Sequence, residues 1–151
     1  MTDLDAALDA IPDLWSPHIA ATVNDYDVKI AKLEGAFVWH AHPETDEFFL
    51  VLAGRLTIEL EGREPVVLGP HQVFTVPRGL RHRPVADPGT RIMLLEPQGT
   101  TNTGDADEAP GVATTTGLQL RTDTRPSSPQ RLKERVARSR NGVFWSLTKV
   151  R

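Results

Sequence analysis

Residues 35–60 read GAFVWHAHPETDEFFLVLAGRLTIEL, and this stretch decides the fold. At its end, Leu56, Ile58 and Leu60 alternate with polar residues, which is the pattern of a strand with one buried face. Residues 47–52 form a second apolar run, and Ala53-Gly54-Arg55 between the two runs is a tight-turn sequence. The stretch therefore predicts two short strands joined by a turn.

The same pattern continues outward from about Ile19 to Pro97. Turns rich in glycine, proline and charged residues separate further predicted strands over 28–33, 37–42, 66–68, 73–76 and 91–95. Many short strands without intervening helices predict an all-β sandwich or barrel and exclude a parallel sheet.

Short appendages flank the predicted barrel. Residues 1–18 are a lead-in with a helix over 2–10, for which Thr2 is the expected N-cap. We assign residues 19–105 to the barrel and 106–151 to a linker and a basic tail. A helix over 129–140 is predicted in that tail, and the rest of it is expected to be flexible.

Composition and charge limit the classes of function. No apolar run approaches the roughly 18 residues that span a bilayer, and the acidic N-terminus predicts no secretory signal. The chain has no cysteine, which excludes thiolate chemistry and favours a cytoplasmic location. Residues 1–117 carry 8 Lys+Arg against 18 Asp+Glu, whereas residues 118–151 carry 9 against 2. The acidic body makes nucleic-acid binding unlikely, and a membrane partner is not expected.

Four residues have the chemistry and spacing of metal ligands. His40 and His42 stand two apart, so on a strand both imidazoles point to one face. Glu47 follows across a short turn, and His82 follows Pro77-Arg78-Gly79. Three imidazoles and one carboxylate suit Mn, Fe(II), Ni or Co, while zinc fits less naturally. An isolated His-x-His is often surface decoration, so the combination carries the prediction.

These residues resemble the two motifs of the cupin superfamily. The first motif is carried by Gly35, His40, His42, Glu47 and Gly54, and the second ends as Pro77-Arg78-Gly79-Leu80-Arg81-His82. The resemblance implies a double-stranded β-helix, that is, a jelly-roll barrel, with a divalent metal ion on the four ligands. Segments such as Val76-Pro77-Arg78-Gly79 and Leu95-Glu96-Pro97 are similar to small bacterial cupins labelled mannose-6-phosphate-isomerase-like. The first motif is one residue short before His40, and His71 replaces the opening glycine of the second.

A small-molecule pocket is predicted beside the metal. Its apolar wall comprises Val38, Phe49, Val51, Leu56, Ile58, Phe74 and Val76, although most of these side chains also fill any barrel. Arg78 and Arg81 are candidates for its rim. The favoured interpretation is a metal-dependent dioxygenase for an enolisable substrate, since a sugar-phosphate isomerase needs an anchor and a base that the interior does not clearly supply. The alternatives are that isomerase and a binding or sensor module without turnover.

The predicted partners are a small-molecule ligand and a second copy of the chain. The homodimer is implied by the resemblance, since small cupins generally pair through their sheets.

Overall fold

The computed structural model describes residues 1–106, and the fold there is a β-barrel with one short helix in front of it. The elements are α1 Leu4–Ala10, β1 His18–Val23, β2 Tyr26–Ala36, β3 Glu47–Ala53, β4 Leu56–Leu60, β5 Arg63–Leu68, β6 Val73–Val76 and β7 His82–Pro97. All the strand pairings are antiparallel. The predicted all-β jelly roll is therefore confirmed.

Strand β7 organises the barrel because it pairs with three other strands. Its second half lies between β2 and β3, with Leu95 opposite both Val28 and Phe48. Its first half pairs with β4, where His82 lies opposite Leu60. Strand β1 extends the sheet beyond β2, β6 extends it beyond β3, and β5 pairs with β4. One strand of 16 residues thus joins the two ends of the barrel.

Tight turns separate the strands, and the turn between β3 and β4 requires glycine at position 54. Its φ is +80°, and an added Cβ would lie 2.6 Å from both Cα and Oγ1 of Thr90. The Thr90 hydroxyl in turn accepts the Arg55 N–H and lies within hydrogen-bond distance of the Asp87 carbonyl, at 2.7 Å, and of the Arg55 carbonyl, at 2.9 Å. Gly62, between β4 and β5, has a φ of +69° but open space where a Cβ would be.

The helix and the strand over 37–42 differ from prediction, and β1 and residues 82–90 of β7 were not predicted as strands. Helix α1 begins at Leu4, and Asp3 caps it instead of Thr2 by accepting a hydrogen bond from the Ala6 N–H. Residues 37–42 do not form the predicted strand, since only His40 makes an isolated bridge, to His82. An aromatic residue of this stretch packs against another loop residue instead, since the Phe37 ring stacks on that of Trp15.

The buried side chains form two clusters. The larger fills the barrel and contains Ala31, Leu33, Phe49, Val51, Leu56, Ile58, Leu60, Leu68, Val76, Ala86, Ile92 and Leu94. The smaller lies outside the sheet, where Ala7, Leu8 and Ile11 of the helical segment cover Ile30 of β2. Even this seven-residue helix is held by packing rather than by its own propensity.

The basic tail predicted at the C-terminus, with its helix over 129–140, lies outside the described residues. Within residues 1–106, no helix is long and apolar enough to cross a membrane.

Candidate metal centre

The backbone brings His40 and His82 together and fixes the orientation of both rings. Each residue donates its backbone N–H to the other's carbonyl, at 3.0 and 2.9 Å. The Nδ1 of His40 lies 3.0 Å from the Val38 carbonyl, and the Nδ1 of His82 lies 3.0 Å from the Leu80 carbonyl. When a metal ion is bound, a proton on Nδ1 for these bonds would leave the lone pair of each Nε2 atom for the ion.

Glu47, the first residue of β3, lies where three imidazoles converge. Its Oε2 is 2.8 Å from the Nε2 of His82, 3.3 Å from that of His42 and 3.8 Å from that of His40. The backbone at His42 is fixed by the turn before His82, because the His42 carbonyl accepts a hydrogen bond from the Gly79 N–H. All four side chains are buried. The structure therefore gathers the four residues that sequence analysis predicted as ligands around one carboxylate oxygen.

Protonation of this cluster follows from burial and from the Glu47 charge. Burial lowers the pKa of His40 to about 4, against the opposing effect of Glu47. For His42 burial acts in the same direction, but the adjacent Glu47 carboxylate outweighs it and raises the pKa. Burial would raise the pKa of Glu47, yet His42 and His82 beside it lower that pKa to about 2. Glu47 is thus an anion at neutral pH, and His40 is a neutral imidazole.

The geometry and chemistry of these residues fit a divalent metal ion. Two ligand atoms about 2.1 Å from one ion lie about 3.0–3.4 Å apart at octahedral or tetrahedral angles. The three nitrogen–oxygen distances, from 2.8 to 3.8 Å, bracket that spacing. The ligand atoms of His40, Glu47 and His82 all lie within 4.8 Å of one another, whereas that of His42 does so with Glu47 and Glu96. The buried Nε2 atoms of His40 and His42 have no aligned hydrogen-bond partner within residues 1–106, and a buried polar atom without a partner is costly. A bound cation would satisfy both.

A second pair of ionisable residues lies beside this cluster and was missed by sequence analysis. Lys29 Nζ lies 2.7 Å from Glu96 Oε2, and each side chain is only 1% exposed. Lys29 also donates to the Thr100 carbonyl at 3.0 Å. Ligand atoms of His42, Glu47 and Glu96 all lie within 4.8 Å of one another. Burial and the Glu47 charge raise the pKa of Glu96 despite Lys29.

An apolar cavity opens next to the candidate centre. The empty space there, together with open solvent at the mouth, is about 390 Å³, and the cavity is lined by Trp15, Pro17, Ala31, Leu33, Phe37, Phe49, Pro84, Ile92, Leu94 and Asn102. Phe37 meets the His40 ring edge-on with centroids 5.3 Å apart, and Phe49 meets the His82 ring at 6.3 Å. Two of the candidate ligand rings therefore contact aromatic side chains that also line the cavity.

The predicted pocket residues occupy different places around this cavity. Phe49 lines it, while Val51, Leu56, Ile58 and Val76 belong to the surrounding core and Phe74 packs against that core. Val38 does not line the cavity, and its carbonyl instead orients His40. Trp15 and Phe37 line it but were not predicted, because their stacking depends on residues distant in sequence.

The two arginines predicted for the rim are exposed and do not line the cavity. The side chain of Arg78 is 63% exposed and pairs with Asp46 at 3.2 Å. Asp46 also accepts the Arg78 backbone N–H, and this contact with Arg78 lowers the pKa of Asp46. The pair holds the turn before Glu47 against the turn before His82.

Residues 100–106 form a strap over the stretch that carries His40. Asp105 accepts the Ala41 N–H at 2.7 Å through its carboxylate, and its own N–H donates to the Ala41 carbonyl at 2.9 Å. Gly104 packs so closely on Ala41 that a Cβ there would overlap the Ala41 carbonyl. The strap also contributes Asn102 to the cavity wall.

Comparison with known proteins agrees with this geometry. The model of the Cupin domain family matches residues 26–96. An uncharacterised protein of Bacillus subtilis, YdbB, is 34% identical over 83 residues, which cover 55% of this chain and 74% of that protein. This chain belongs to the cupin family.

Solved structures support the same conclusion at two levels. A cupin-2 domain containing protein from Shewanella frigidimarina is 35% identical, with a TM-score of 0.61 over 64% of this cupin and 93% of that chain. Hydroquinone 1,2-dioxygenase from Sphingomonas sp. TTNP3, solved with 4-hydroxybenzoate bound, has a TM-score of 0.59 over 66% of this chain and 75% of its own. At 16% identity, the second likeness is one of fold alone.

Proposed function

We propose that this cupin is a metal-dependent dioxygenase that binds one divalent ion through His40, His42, Glu47 and His82. The observation that carries the proposal is the convergence of three imidazole Nε2 atoms on one buried carboxylate oxygen. Three neutral nitrogens and one oxygen anion favour Fe(II), Mn or Ni, and zinc remains chemically compatible.

The metal would supply open coordination positions at which dioxygen and an enolate oxygen meet. The chain's own residues orient the ligands and set the charge and polarity of the site. The carbonyls of Val38 and Leu80 orient two of the imidazoles, and Glu47 contributes a full negative charge. Phe37 and Phe49 exclude water from the side that faces the cavity, so the charges act in a medium of low dielectric.

The cavity favours a planar, mostly apolar substrate such as a phenol or an enolised diketone. Among the described residues that line it, Asn102 is the only polar side chain, and neither lysine nor arginine takes part. A sugar phosphate needs a cationic anchor, and Arg78 instead lies outside, paired with Asp46. The mannose-6-phosphate-isomerase-like activity is therefore the less supported alternative.

The site also has the properties of a binding module without turnover. We propose dioxygenation over simple binding because a centre beside a cavity lined mostly by apolar side chains suits a reactive intermediate better than a storage role. The two functions differ in one measurement, the consumption of dioxygen.

The first experiment measures metal content in protein purified without a metal-affinity column. We expect one ion per chain in the native protein and a large loss in His40→Ala and Glu47→Gln. His71→Ala is the matched control, because His71 is an exposed histidine outside the cluster. Full metal content in His40→Ala would contradict the ligand set.

The second experiment follows dioxygen uptake by the metal-loaded protein with a panel of diketones and phenols. Uptake that depends on Glu47 supports the dioxygenase. Ligand binding without uptake identifies a binding module, and turnover of mannose 6-phosphate alone identifies the isomerase.

We further propose that the protein is a homodimer formed through its sheets. Val23 of β1 and Val73 of β6 are more than half exposed on the two outermost strands of the main sheet path, and Tyr26 is 41% exposed. Light scattering tests this proposal, and a monomeric mass at micromolar concentration would reject it.

A further inference from the structure

The ion pair of Lys29 and Glu96 lies in the barrel interior, where few proteins place charges. Both side chains are 1% exposed, and removing two charges from water costs free energy that only close pairing and further hydrogen bonds offset. The pair is not remote from the candidate centre, since a Glu96 oxygen lies within 4.8 Å of ligand atoms of both His42 and Glu47. Its position therefore needs an explanation in terms of that centre.

The residues around Glu96 form a second set of potential metal ligands. His42, Glu47 and Glu96 are all buried, and their ligand atoms are mutually within 4.8 Å. The His42 Nε2 atom has no aligned hydrogen-bond partner within residues 1–106, and His42 is 95% buried given its 5% exposure. Two carboxylates and one imidazole form a donor set that Mn²⁺ and similar ions accept. With two ions bound, His40, Glu47 and His82 would hold the first and His42, Glu47 and Glu96 the second. Glu47 alone would be shared, because a carboxylate can bridge two ions, and His42 would leave the first ion for the second.

A cation is already present at this second set, and it is the Lys29 ammonium. It lies 2.7 Å from the Glu96 carboxylate and is held there by the Thr100 carbonyl. An ammonium at this distance neutralises Glu96 and repels any further cation. With the first divalent ion bound, the two carboxylates and the ammonium bring the local charge to +1, whereas without the ammonium it would be zero, so the ammonium opposes a second divalent ion.

We propose that Lys29 keeps this metal centre mononuclear by occupying a second cation subsite formed by His42, Glu47 and Glu96. Binding of the first ion is part of the proposed function, on which this inference rests. The second subsite is a separate property of the chain. Lys29 is on this view a residue that sets the number of ions rather than a catalytic residue.

The test counts Mn²⁺ ions per chain by equilibrium dialysis and elemental analysis. We expect the wild type to saturate at one ion even at high free Mn²⁺. Lys29→Met should bind one ion more than the wild type and show the electron paramagnetic resonance of two coupled manganese ions. Lys29→Gln is a second variant for the same measurement, in case the methionine variant does not fold.

Matched variants separate the subsite from general disruption. Lys29→Arg retains a cation and should bind as many ions as the wild type. The double variant Lys29→Met with Glu96→Gln lacks the carboxylate and should lose the extra ion. An equal ion count in Lys29→Met, Lys29→Gln and the wild type would overturn the inference, as would a second ion in the wild type. A wild type without any ion would reject the proposed function, and the difference between variant and wild type would still decide the subsite.

Discussion

Replacing Glu47 by glutamine removes one negative charge from the centre while retaining a hydrogen-bond acceptor for His82. In the folded protein the pKa of Glu47 is lowered to about 2 from an ordinary 4.5. Each unit of pKa corresponds to about 1.4 kcal/mol, so the surroundings stabilise the charged form by about 3 kcal/mol. Because the folded pKa is depressed, this contribution is complete above pH 4.5 and is lost as the pH falls towards 2.

At neutral pH we therefore expect Glu47→Gln to lower the free energy of unfolding of the metal-free protein by about 2–3 kcal/mol. Metal adds a second effect, since a ligand at one hundred times its Kd stabilises the folded state by about 2.7 kcal/mol. The wild type should gain that amount with Mn²⁺, and the variant should gain almost none. Urea denaturation with and without Mn²⁺ measures both quantities.

Glu59→Gln is the matched control for this substitution. Glu59 forms an ion pair with Arg83 at 2.6 Å, but both side chains are 35% exposed. Exposed pairs contribute roughly 0–1 kcal/mol, so the control should lose little stability and should retain the whole effect of Mn²⁺. The reasoning is refuted if the two variants are equally stable and respond equally to the metal.

The remaining predictions concern pH, backbone and core. The pKa of His40 is lowered from 6.5 to about 4, so between pH 4 and 6.5 the unfolded chain binds more protons at this residue than the folded protein does. The free energy of unfolding of the metal-free protein should therefore rise from pH 4 to 6.5, and His40 should contribute up to about 3 kcal/mol of that rise. His40→Asn should flatten that slope in denaturation series, and an unchanged slope would contradict the assignment. In Gly54→Ala the new Cβ would overlap Thr90 at a backbone φ of +80°, so the free energy of unfolding should fall by about 3 kcal/mol or more. In Gly62→Ala the Cβ would enter open space, and the loss should be about 1–2 kcal/mol. Equal melting temperatures of the two variants would be inconsistent with this packing. Ile58→Ala in the core should cost about 2–5 kcal/mol, and Val67→Ala, at a 45% exposed site, should cost less than 1 kcal/mol by the same assay.

Sequence periodicity predicted those strands that bury one face and expose the other. The structure places β4 at Leu56–Leu60 and β6 at Val73–Val76, the bounds that alternation and turn residues indicate. The same reasoning failed for residues 37–42, because their apolar side chains serve loop packing rather than a sheet face. It also missed β1, in which buried and exposed residues do not alternate, and the first half of β7, where proline and charged residues obscure the alternation.

Part of the candidate site could be predicted because ligand chemistry limits which residues can take part. Histidine and glutamate at motif spacing indicated a cluster, and the structure brings those four residues together. Lys29 and Glu96 were missed although parity places Lys29 on the same face as Ala31 and Leu33. A charged residue in a strand is normally assigned to solvent, and only the tertiary partner reveals that the pair lies inside. Trp15 was missed for a similar reason, since its contact with Phe37 joins separate parts of the chain.

The central position of β7 determines when the barrel can fold during synthesis of the chain. Because β2, β3 and β4 all pair with this strand, the barrel cannot close on the ribosome until residue 97 has emerged. The earlier strands then wait with unpaired edges, and such non-local pairing is slow and exposed to aggregation. His82 is the first residue of β7, the last strand within residues 1–106, so the complete set of candidate ligands comes together only when the barrel closes. Metal loading would then follow closure of the barrel rather than nucleate it.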